Sequence, residues 1–366
     1  MKTVKTNIAL TCLVALIALL AVTGELVGLP KKNDTSIVSS LEDGRSGEMR
    51  FRSYHPTRQE LARGNYRQRP LAVPATLRLP DGIQGRVPAA VLMHGSDGVT
   101  KHQQRYARGL RARGMATFVL DSFSPRNVDN TVGRQSAVPA HVMVVDLFAA
   151  LGLLAGHPRI DADRIAVIGW SKGGVAADWS SREWYRNRLT RGKRQFAAHV
   201  AFYAWCGEQE ARIELTGAPI LYLSGELDDW AGTRACVRYG QRAKRADYDV
   251  RVVVYPGAHH GFDYDGSFHT YLPQAINWSG CEYLTRETGF VAQPGGSFGA
   301  WPDLPGYLSR CSRPGAHVAT NAGARDSAWL ALNGFLSESL RARVPEGELL
   351  PGHNGHLAGA AIDLDQ

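Results

Sequence analysis

Apolar and polar residues follow two different patterns along this chain. Short continuous apolar runs occur at Ala89–Met93, Ala116–Leu120 and Ile165–Ile168, and such runs are typical of strands buried on both faces of a sheet. Longer stretches with a helical period lie between them, at Lys101–Arg113 and Val138–Ala155. Strands that alternate with helices predict an α/β fold, with a mostly parallel central sheet and helices on both of its faces.

The same alternation continues on both sides of this region. Two segments alternate apolar and polar residues, as half-exposed strands do, and three later apolar runs are strand candidates. An amphipathic pattern near the end of the chain predicts a last helix. In chain order these segments are Glu48–Tyr54, Ala75–Leu79, His199–Ala204, Pro219–Leu223, Val250–Tyr255 and the helix Asp326–Leu340.

Three segments do not follow the alternation. Residues 264–318 are rich in glycine, proline and aromatic residues, so we expect an insertion that forms a lid or rim over a site. Residues 31–47 are polar and are expected to form a flexible linker, while the glycine-rich residues 345–366 are expected to form a disordered tail. The sequence thus predicts a single domain over residues 48–344.

The first thirty residues have the pattern of an export signal. Lys2 and Lys5 precede the apolar run Ile8–Val22, which is short for a membrane span. We therefore expect export to the periplasm or the extracellular medium. An uncleaved signal anchor is the alternative, and it is the one route by which the sequence predicts contact with a membrane.

Export changes how the cysteines are interpreted. Four lie outside the signal, and an even number in an oxidising compartment predicts two disulfides, although free thiols are the alternative. Three pairings are possible. We favour Cys206 with Cys236 and Cys281 with Cys311, because each pair then lies within one segment. Since no C-x-x-C or close Cys/His spacing occurs, we expect no metal site.

Composition narrows the possible partners. The 366 residues carry a formal net charge of +8, which could indicate binding to nucleic acid. The arginines are nevertheless scattered, and the densest group, Arg182–Arg194, is mixed with aromatic and acidic residues. Because no standard nucleic-acid module is present in the sequence, we interpret the charge as a solvated basic face and expect no nucleic-acid partner.

The pattern G-x-S-x-G occurs twice, at Gly169–Gly173 and at Gly295–Gly299. A nucleophile elbow needs a buried strand before the serine and a helix after it. Ser171 has both, because Ile165–Ile168 leads into it and small residues that can begin a helix follow. Ser297 has neither and is predicted to be a loop serine.

A catalytic serine needs a base and an acid, which in this type of fold follow it in the order acid, then histidine, at the ends of later strands. Two predicted strands beyond Ser171 meet this requirement. The first is followed by Asp228 and Asp229, and the second by His259 and His260. The residues alone leave the choice within each doublet open.

With these motifs the chain resembles the dienelactone hydrolase-like branch of the α/β-hydrolases. The likeness extends over about residues 75–262 and resumes in the last helix. It is carried by His94–Gly98, Arg164–Gly174, Gly225–Trp230 and Ala258–Phe262. The resemblance implies an α/β-hydrolase fold and hydrolysis of a small-molecule ester or lactone through an acyl-enzyme, without a cofactor.

The resemblance also assigns roles within the doublets. The family pattern Gly-x-x-Asp implies Asp228 as the acid, and His-Gly-Phe implies His260 as the base that activates Ser171. The fold predicts an oxyanion hole from the backbone N–H groups of Lys172 and Ser96. We expect the side chain of Lys172 to be solvated.

Four further side chains are candidates for the substrate pocket. Trp170, Phe123 and Trp230 lie beside the predicted site in sequence, where they could shape an acyl or alcohol pocket or simply pack. Arg126 follows a predicted strand and could bind a substrate carboxylate in a bidentate manner, with a surface position as the alternative.

One departure from the family bears on the substrate. The best-known dienelactone hydrolases carry cysteine at the nucleophile, whereas this chain has Ser171. This difference favours a more general carboxylic ester over dienelactone itself. Two other functions remain open, namely a peptidase of the same fold and a non-catalytic binding protein that has kept the fold.

Overall fold

A large central sheet organises the computed structural model, which describes residues 37–286, 289–293 and 296–341. The described strands are β1 (Ile37–Val38), β2 (Gly47–Tyr54), β3 (Pro70–Arg78), β4 (Val87–Met93), β5 (Ala116–Leu120), β6 (Ile160–Trp170), β7 (Ala198–Phe202), β8 (Glu208–Glu210), β9 (Ile220–Gly225), β10 (Val250–Tyr255), β11 (His269–Asn277), β12 (Glu282–Thr285), β13 (Gly289–Gln293), β14 (Phe298–Ala300) and β15 (Arg313–Ala319). The described α-helices are α1 (Arg58–Ala62), α2 (Lys101–Ala112), α3 (Ala140–Leu154), α4 (Lys172–Trp179), α5 (Glu183–Thr190), α6 (Thr233–Lys244), α7 (Leu304–Cys311) and α8 (Ala322–Ser339).

The strand directions confirm the predicted mostly parallel sheet. Across the sheet the strand order is β1-β2-β3-β5-β4-β6-β7-β9-β10. From β5 to β10 every neighbouring pair is parallel, whereas β3 is antiparallel to both β2 and β5. The parallel strands therefore end at one edge of the sheet, and the loops that follow them collect there.

Burial on both faces explains the continuous apolar runs. In β4, Ala89, Val91 and Met93 belong to one hydrophobic cluster, and Ala90 and Leu92 belong to another. The first cluster includes residues of α3, α4 and α6, and the second includes residues of α2 and α8. Because successive strand side chains point to opposite faces, a strand between two helix layers needs apolar residues at every position.

Most element boundaries lie within five residues of their predicted positions, and the early start of helix α8 has a local cause. Helix α8 begins at Ala322, four residues before the predicted start at Asp326. Its N-cap is Asn321, whose side chain accepts a hydrogen bond from the N–H of Ala324 (3.0 Å). Such a cap satisfies an N–H group that the helix itself cannot use, so the helix starts earlier than its apolar pattern does.

Residues 264–318 contain regular structure that the sequence did not reveal. Strands β11 and β15 pair antiparallel, and β8 joins β12, β13 and β14 in a four-stranded sheet. Strands β8, β12 and β14 have only three or four residues, and β8 lies about seventy residues before its partner β12, so the pairing in this sheet has no local signature. The insertion is therefore an ordered part of the domain in its described residues.

The expected flexible linker is corrected by the first described residues. Ile37 and Val38 form β1, which pairs with Arg50 and Phe51 of β2. Leu41 is fully buried in the core, which gives this segment apolar contacts that a free linker lacks. The expected export signal (1–30), the first linker residues and the expected tail (345–366) lie outside the described residues.

Two disulfides join residues in the pairing that we favoured. Cys206 is bonded to Cys236 and Cys281 to Cys311. Disulfides are typical of proteins that fold in an oxidising compartment. The predicted export would deliver the protein to a compartment of this kind. In the described part of the chain, no helix is long and apolar enough to cross a membrane.

Candidate active site

Ser171 lies in a strained turn between β6 and α4. Its backbone has φ 52° and ψ −117°, a region that residues other than glycine rarely occupy. The turn also needs glycine on both sides of the serine. A Cβ at Gly169 would lie 2.0 Å from the carbonyl oxygen of Gly173, and a Cβ at Gly173 would lie 2.3 Å from that of Met93. The packing therefore explains why the G-x-S-x-G pattern is required here.

A chain of hydrogen bonds links the three side chains that the sequence singled out. Ser171 Oγ lies 2.9 Å from His260 Nε2, and His260 Nδ1 lies 2.9 Å from Asp228 Oδ2. Asp228 Oδ1 in turn accepts from the backbone N–H groups of Trp230 and Ala231. Because Nδ1–H donates to the carboxylate, Nε2 carries no proton in this tautomer of His260. Nε2 is therefore free to accept a hydrogen bond, and it faces the serine hydroxyl.

The other member of each doublet has different contacts. Asp229 accepts hydrogen bonds from the Nδ1 (2.7 Å) and the backbone N–H (2.9 Å) of His317. The ring of His259 packs against that of His269, with centroids 4.7 Å apart. Ser297 is exposed between β13 and β14. The geometry thus brings Ser171, His260 and Asp228 together. Asp229, His259 and Ser297 lie apart from this group.

Ser171 and His260 line a cavity of about 840 Å³. Ser96, in the loop after β4, and Lys172, the first residue of α4, line the same cavity. The first N–H groups of a helix have no partner within the helix, so the backbone N–H of Lys172 is available to a group bound at this end. Both predicted oxyanion donors therefore belong to residues that border the space next to the serine.

The side chain of Lys172 is buried, so the expectation that it is solvated is wrong. Its Nζ donates to the carbonyl oxygens of Gln135 (2.5 Å) and Val138 (2.9 Å). It thereby ties α4 to the loop before α3. Burial lowers the pKa of this amine from 10.5 to about 7.

This shift predicts a pH-dependent stability. In the unfolded chain a lysine titrates near 10.5, so between pH 7 and 10 the unfolded state binds more protons than the folded state. The free energy of unfolding should therefore rise with pH across this window, by about 3 kcal/mol from this group. The Lys172→Met variant should lose that rise, as measured by urea denaturation at pH 7, 8, 9 and 10.

Lys193 provides the matched control, because it is exposed and its replacement should leave the pH dependence as it is in the wild type. Equal slopes against pH in the wild type and in Lys172→Met would contradict the prediction.

Of the four expected pocket residues, Trp230 alone lines the cavity. Its ring packs against His260, with centroids 4.8 Å apart. Trp170 and Phe123 are each 1% exposed and lie in the core. Trp170 packs on Phe202 and Tyr106, and Phe123 packs edge-on against His94. A large ring next to a strand end can pack into the apolar core instead of lining the cavity. Proximity in sequence to the predicted site therefore did not predict which rings line the cavity.

Arg126 lies neither at the surface nor in the cavity. Its guanidinium forms a bidentate pair with Asp146, with Nη1 2.8 Å from Oδ2 and Nη2 3.0 Å from Oδ1. It also donates to the carbonyl oxygens of Ser122 and Tyr54. Both charged side chains are almost fully buried. A buried carboxylate on α3 needs a cation, and Arg126 supplies it instead of binding substrate.

Sequence reasoning missed a buried carboxylate near the site. Asp263 accepts hydrogen bonds from His102 Nε2 (3.0 Å) and Tyr106 Oη (2.7 Å) on α2, from Trp170 Nε1 (3.1 Å) beside Ser171, and from Tyr203 Oη (2.8 Å). The ring of Tyr203 packs against His260, with centroids 4.7 Å apart. The donors are scattered over a hundred residues of sequence, so no local motif could have indicated this cluster.

The pKa of Asp263 reflects these contacts. Burial by itself would raise it, but the charge of His102 and the hydrogen bonds from its donors lower it to about 2. The carboxylate is therefore a stable buried anion that joins its own segment, which also carries His260, to Trp170 beside Ser171. In the described residues, no group of three or more His, Cys, Asp or Glu side chains is arranged to hold a metal ion.

Comparison with known proteins places this chain in a family. A model of the dienelactone hydrolase family matches residues 73–279, which is more than half of the chain. A protein described as a probable 2-oxo-3-(5-oxofuran-2-ylidene)propanoate lactonase from Bradyrhizobium sp. is 24% identical over 196 residues, which is 49% of this chain and 75% of that protein.

Two solved structures are similar to parts of this chain. A thermophilic esterase from the Planctomycetes species Thermogutta terrifontis is 16% identical and covers 53% of this chain and 80% of its own, with a TM-score of 0.43. A dienelactone hydrolase-like promiscuous phosphotriesterase from metagenomic libraries is 18% identical and covers 80% of this chain and 98% of its own, with a TM-score of 0.45. The matched region contains the strand ends that carry Ser171, Asp228 and His260, and the chain belongs to the dienelactone hydrolase family.

Proposed function

We propose that this protein is a serine hydrolase that cleaves a carboxylic ester or lactone through an acyl-enzyme. The hydrogen-bonded chain from Ser171 through His260 to Asp228, at the wall of an open cavity, is the observation that carries the proposal. Membership of the dienelactone hydrolase family supports ester or lactone hydrolysis. The Bradyrhizobium relative, described as a lactonase, is a further reason to test lactones.

The mechanism follows from the positions of the three groups. His260 Nε2 accepts the proton of the Ser171 hydroxyl as Oγ attacks the substrate carbonyl, and the same proton then passes to the leaving alcohol. Asp228 holds the imidazole in the required tautomer and stabilises its cationic form. Water then attacks the acyl-enzyme, with His260 as the base, and the acid is released while Ser171 is restored.

The negative charge on the carbonyl oxygen needs donors that are already in place. We assign this role to the backbone N–H groups of Lys172 and Ser96, which border the cavity beside Ser171. The buried Lys172 side chain, held by two carbonyl oxygens, supports the position of the first donor. Each step uses a group of this chain.

Labelling of the serine tests the proposal directly. A fluorophosphonate probe reacts with activated serines, so the folded protein should become labelled at Ser171, as located by mass spectrometry of tryptic peptides. The Ser171→Ala variant is the control and should remain unlabelled. A folded wild-type protein that does not react would favour a binding protein with this fold over an enzyme.

We also infer that the protein is exported. The two disulfides support an oxidising compartment, and the basic and apolar pattern of residues 1–30 supports an export signal. Amino-terminal sequencing of the protein recovered from a periplasmic or culture-medium fraction tests this inference and locates any cleavage site.

A further inference from the structure

We propose that the leaving alcohol of the substrate is a bulky aromatic or similarly flat apolar group. This inference rests on the proposed esterase function and names the class of ester on which the site acts. The structural basis is a group of aromatic residues that line the cavity, one of which packs on His260. We call Trp230, Trp278, Trp205 and Tyr283 the aromatic wall; all four line the cavity that contains Ser171.

Ring contacts and one backbone hydrogen bond connect the members of the aromatic wall. Trp230 packs on His260, and its carbonyl oxygen accepts the backbone N–H of Trp278 (3.3 Å). The ring of Trp205 lies 5.1 Å from that of Trp278 and 6.1 Å from that of Tyr283, measured between centroids. The ring of Trp230 therefore touches the catalytic histidine, the other three rings form a connected group, and a backbone hydrogen bond joins the two parts of the wall.

Three of the four polar side-chain atoms of the aromatic wall are used within the protein. Trp230 Nε1 donates to the carbonyl oxygen of Ile276 (3.0 Å), and Trp205 Nε1 donates to that of Trp278 (2.9 Å). The Tyr283 hydroxyl donates to Glu208. These groups are therefore not available to a ligand, and the wall can recognise apolar or aromatic surface but makes few directional hydrogen bonds.

The position of His260 decides which part of the ester meets the wall. In the proposed mechanism Nε2 gives its proton to the leaving oxygen, so the alcohol must lie at the histidine end of the site. The aromatic wall begins at that end, with Trp230 against the imidazole. The alcohol is thus the part that extends along the rings, while the acyl group remains at Ser171.

The size and the construction of the cavity agree with this class of alcohol. A volume of about 840 Å³ lies in the range that encloses drug-sized ligands, so a small alkyl alcohol would leave most of it unfilled. Leu304 and Leu308 of α7 supply further apolar lining.

Disulfides anchor the segments that carry the aromatic wall. Cys206 follows Trp205, Cys281 lies between Trp278 and Tyr283, and both cysteines form disulfides. A preorganised wall loses little entropy when a rigid group binds.

Two matched series of esters test the proposal. One series keeps the acetyl group and varies the alcohol, from ethyl to benzyl to 2-naphthylmethyl acetate. The other keeps ethanol and varies the acid, from ethyl acetate to ethyl phenylacetate to ethyl 2-naphthylacetate. With released acid followed by pH-stat titration, kcat/KM should rise at least about tenfold along the alcohol series and change less than about threefold along the acyl series.

A tryptophan variant tests the aromatic wall itself. In Trp278→Ala the ratio of kcat/KM for 2-naphthylmethyl acetate over ethyl acetate should fall at least about fivefold, because ring contact is lost. Trp184→Ala is the matched control, since Trp184 lies on α5 with 37% of its surface exposed and does not line the cavity; its ratio should equal that of the wild type. Thermal unfolding of both variants checks that they fold.

The outcomes separate this inference from the function on which it rests. A rise along the acyl series with a flat alcohol series would overturn the proposal and assign the wall to the acid. Two flat series, with Ser171 still labelled by fluorophosphonate, would also overturn it and leave the esterase assignment intact. Absence of both labelling and turnover would instead refute the hydrolase function.

Discussion

Replacing Ser171 with alanine is expected to reduce the rate of ester hydrolysis by about a million-fold, leaving a residual acceleration of about 10³- to 10⁴-fold over the reaction in water. In the proposed mechanism the three side chains act as a unit: without the hydroxyl, His260 would have no nucleophile to activate and no acyl-enzyme would form. Because the substitution removes only one hydroxyl at the cavity wall, the protein should remain folded. The measurement is kcat for the best ester of the two series, with circular dichroism as a check on folding.

Ser297 offers a control that the chain itself supplies. It stands in the second G-x-S-x-G match but is exposed between β13 and β14, with neither the strained turn nor the histidine that Ser171 has. Ser297→Ala should therefore keep wild-type kcat and KM. If activity were lost in Ser297→Ala and retained in Ser171→Ala, our assignment of the nucleophile would be wrong.

Asp263→Asn is expected to lower the free energy of unfolding by about 3 kcal/mol at pH 7. The carboxylate accepts from four buried donors, and an amide can accept at one atom only while bringing two donors of its own. The variant thus leaves buried donors unpaired around a site that previously held an anion. Urea denaturation of both proteins at pH 7 measures the difference.

Asp265→Asn is the matched control for this prediction. Asp265 lies two residues further along the chain and pairs with Arg105, but 63% of its side chain is exposed. Exposed ion pairs contribute little, so this variant should lose less than about 1 kcal/mol. Equal losses in the two variants would mean that the buried cluster around Asp263 has no special part in stability.

The pH dependence gives a second measure of Asp263. Its pKa in the folded state, about 2, lies below the value of 3.8 expected in the unfolded chain. Its ionisation therefore stabilises the fold above pH 3.8, and this contribution is lost as the pH falls through 2. The gap in unfolding free energy between the wild type and Asp263→Asn should accordingly narrow by about 2 kcal/mol between pH 7 and pH 2.

Local periodicity was enough to predict the central sheet and its helices. A strand such as β4, buried on both faces, must be apolar at every position, and that requirement is visible in a few consecutive residues. The elements of residues 264–318 were not predictable in this way. Strand β12 pairs with β8, which lies far away in sequence and is three residues long, so its conformation depends on a partner that no local window contains.

The candidate site also has some features that a local pattern predicts and others that depend on residues distant in sequence. The elbow around Ser171 is a local structure, since its strand, its glycines and its helix are contiguous, and the order of acid and histidine follows from the order of strands. The choice between Asp228 and Asp229 was different, because the residues alone left it open. It depends on which carboxylate reaches His260 and which reaches His317, and both histidines are distant in sequence.

The sequence by itself determined the fold class, the position of the elbow and the order of the candidate catalytic residues, because each of these depends on neighbours along the chain. Only the tertiary structure decided the surroundings of the site. It buried Arg126 against Asp146, turned Trp170 toward Asp263 and buried the Lys172 side chain against two backbone carbonyls. Burial and charge pairing are set by side chains that come together from remote segments, so a linear pattern cannot specify them.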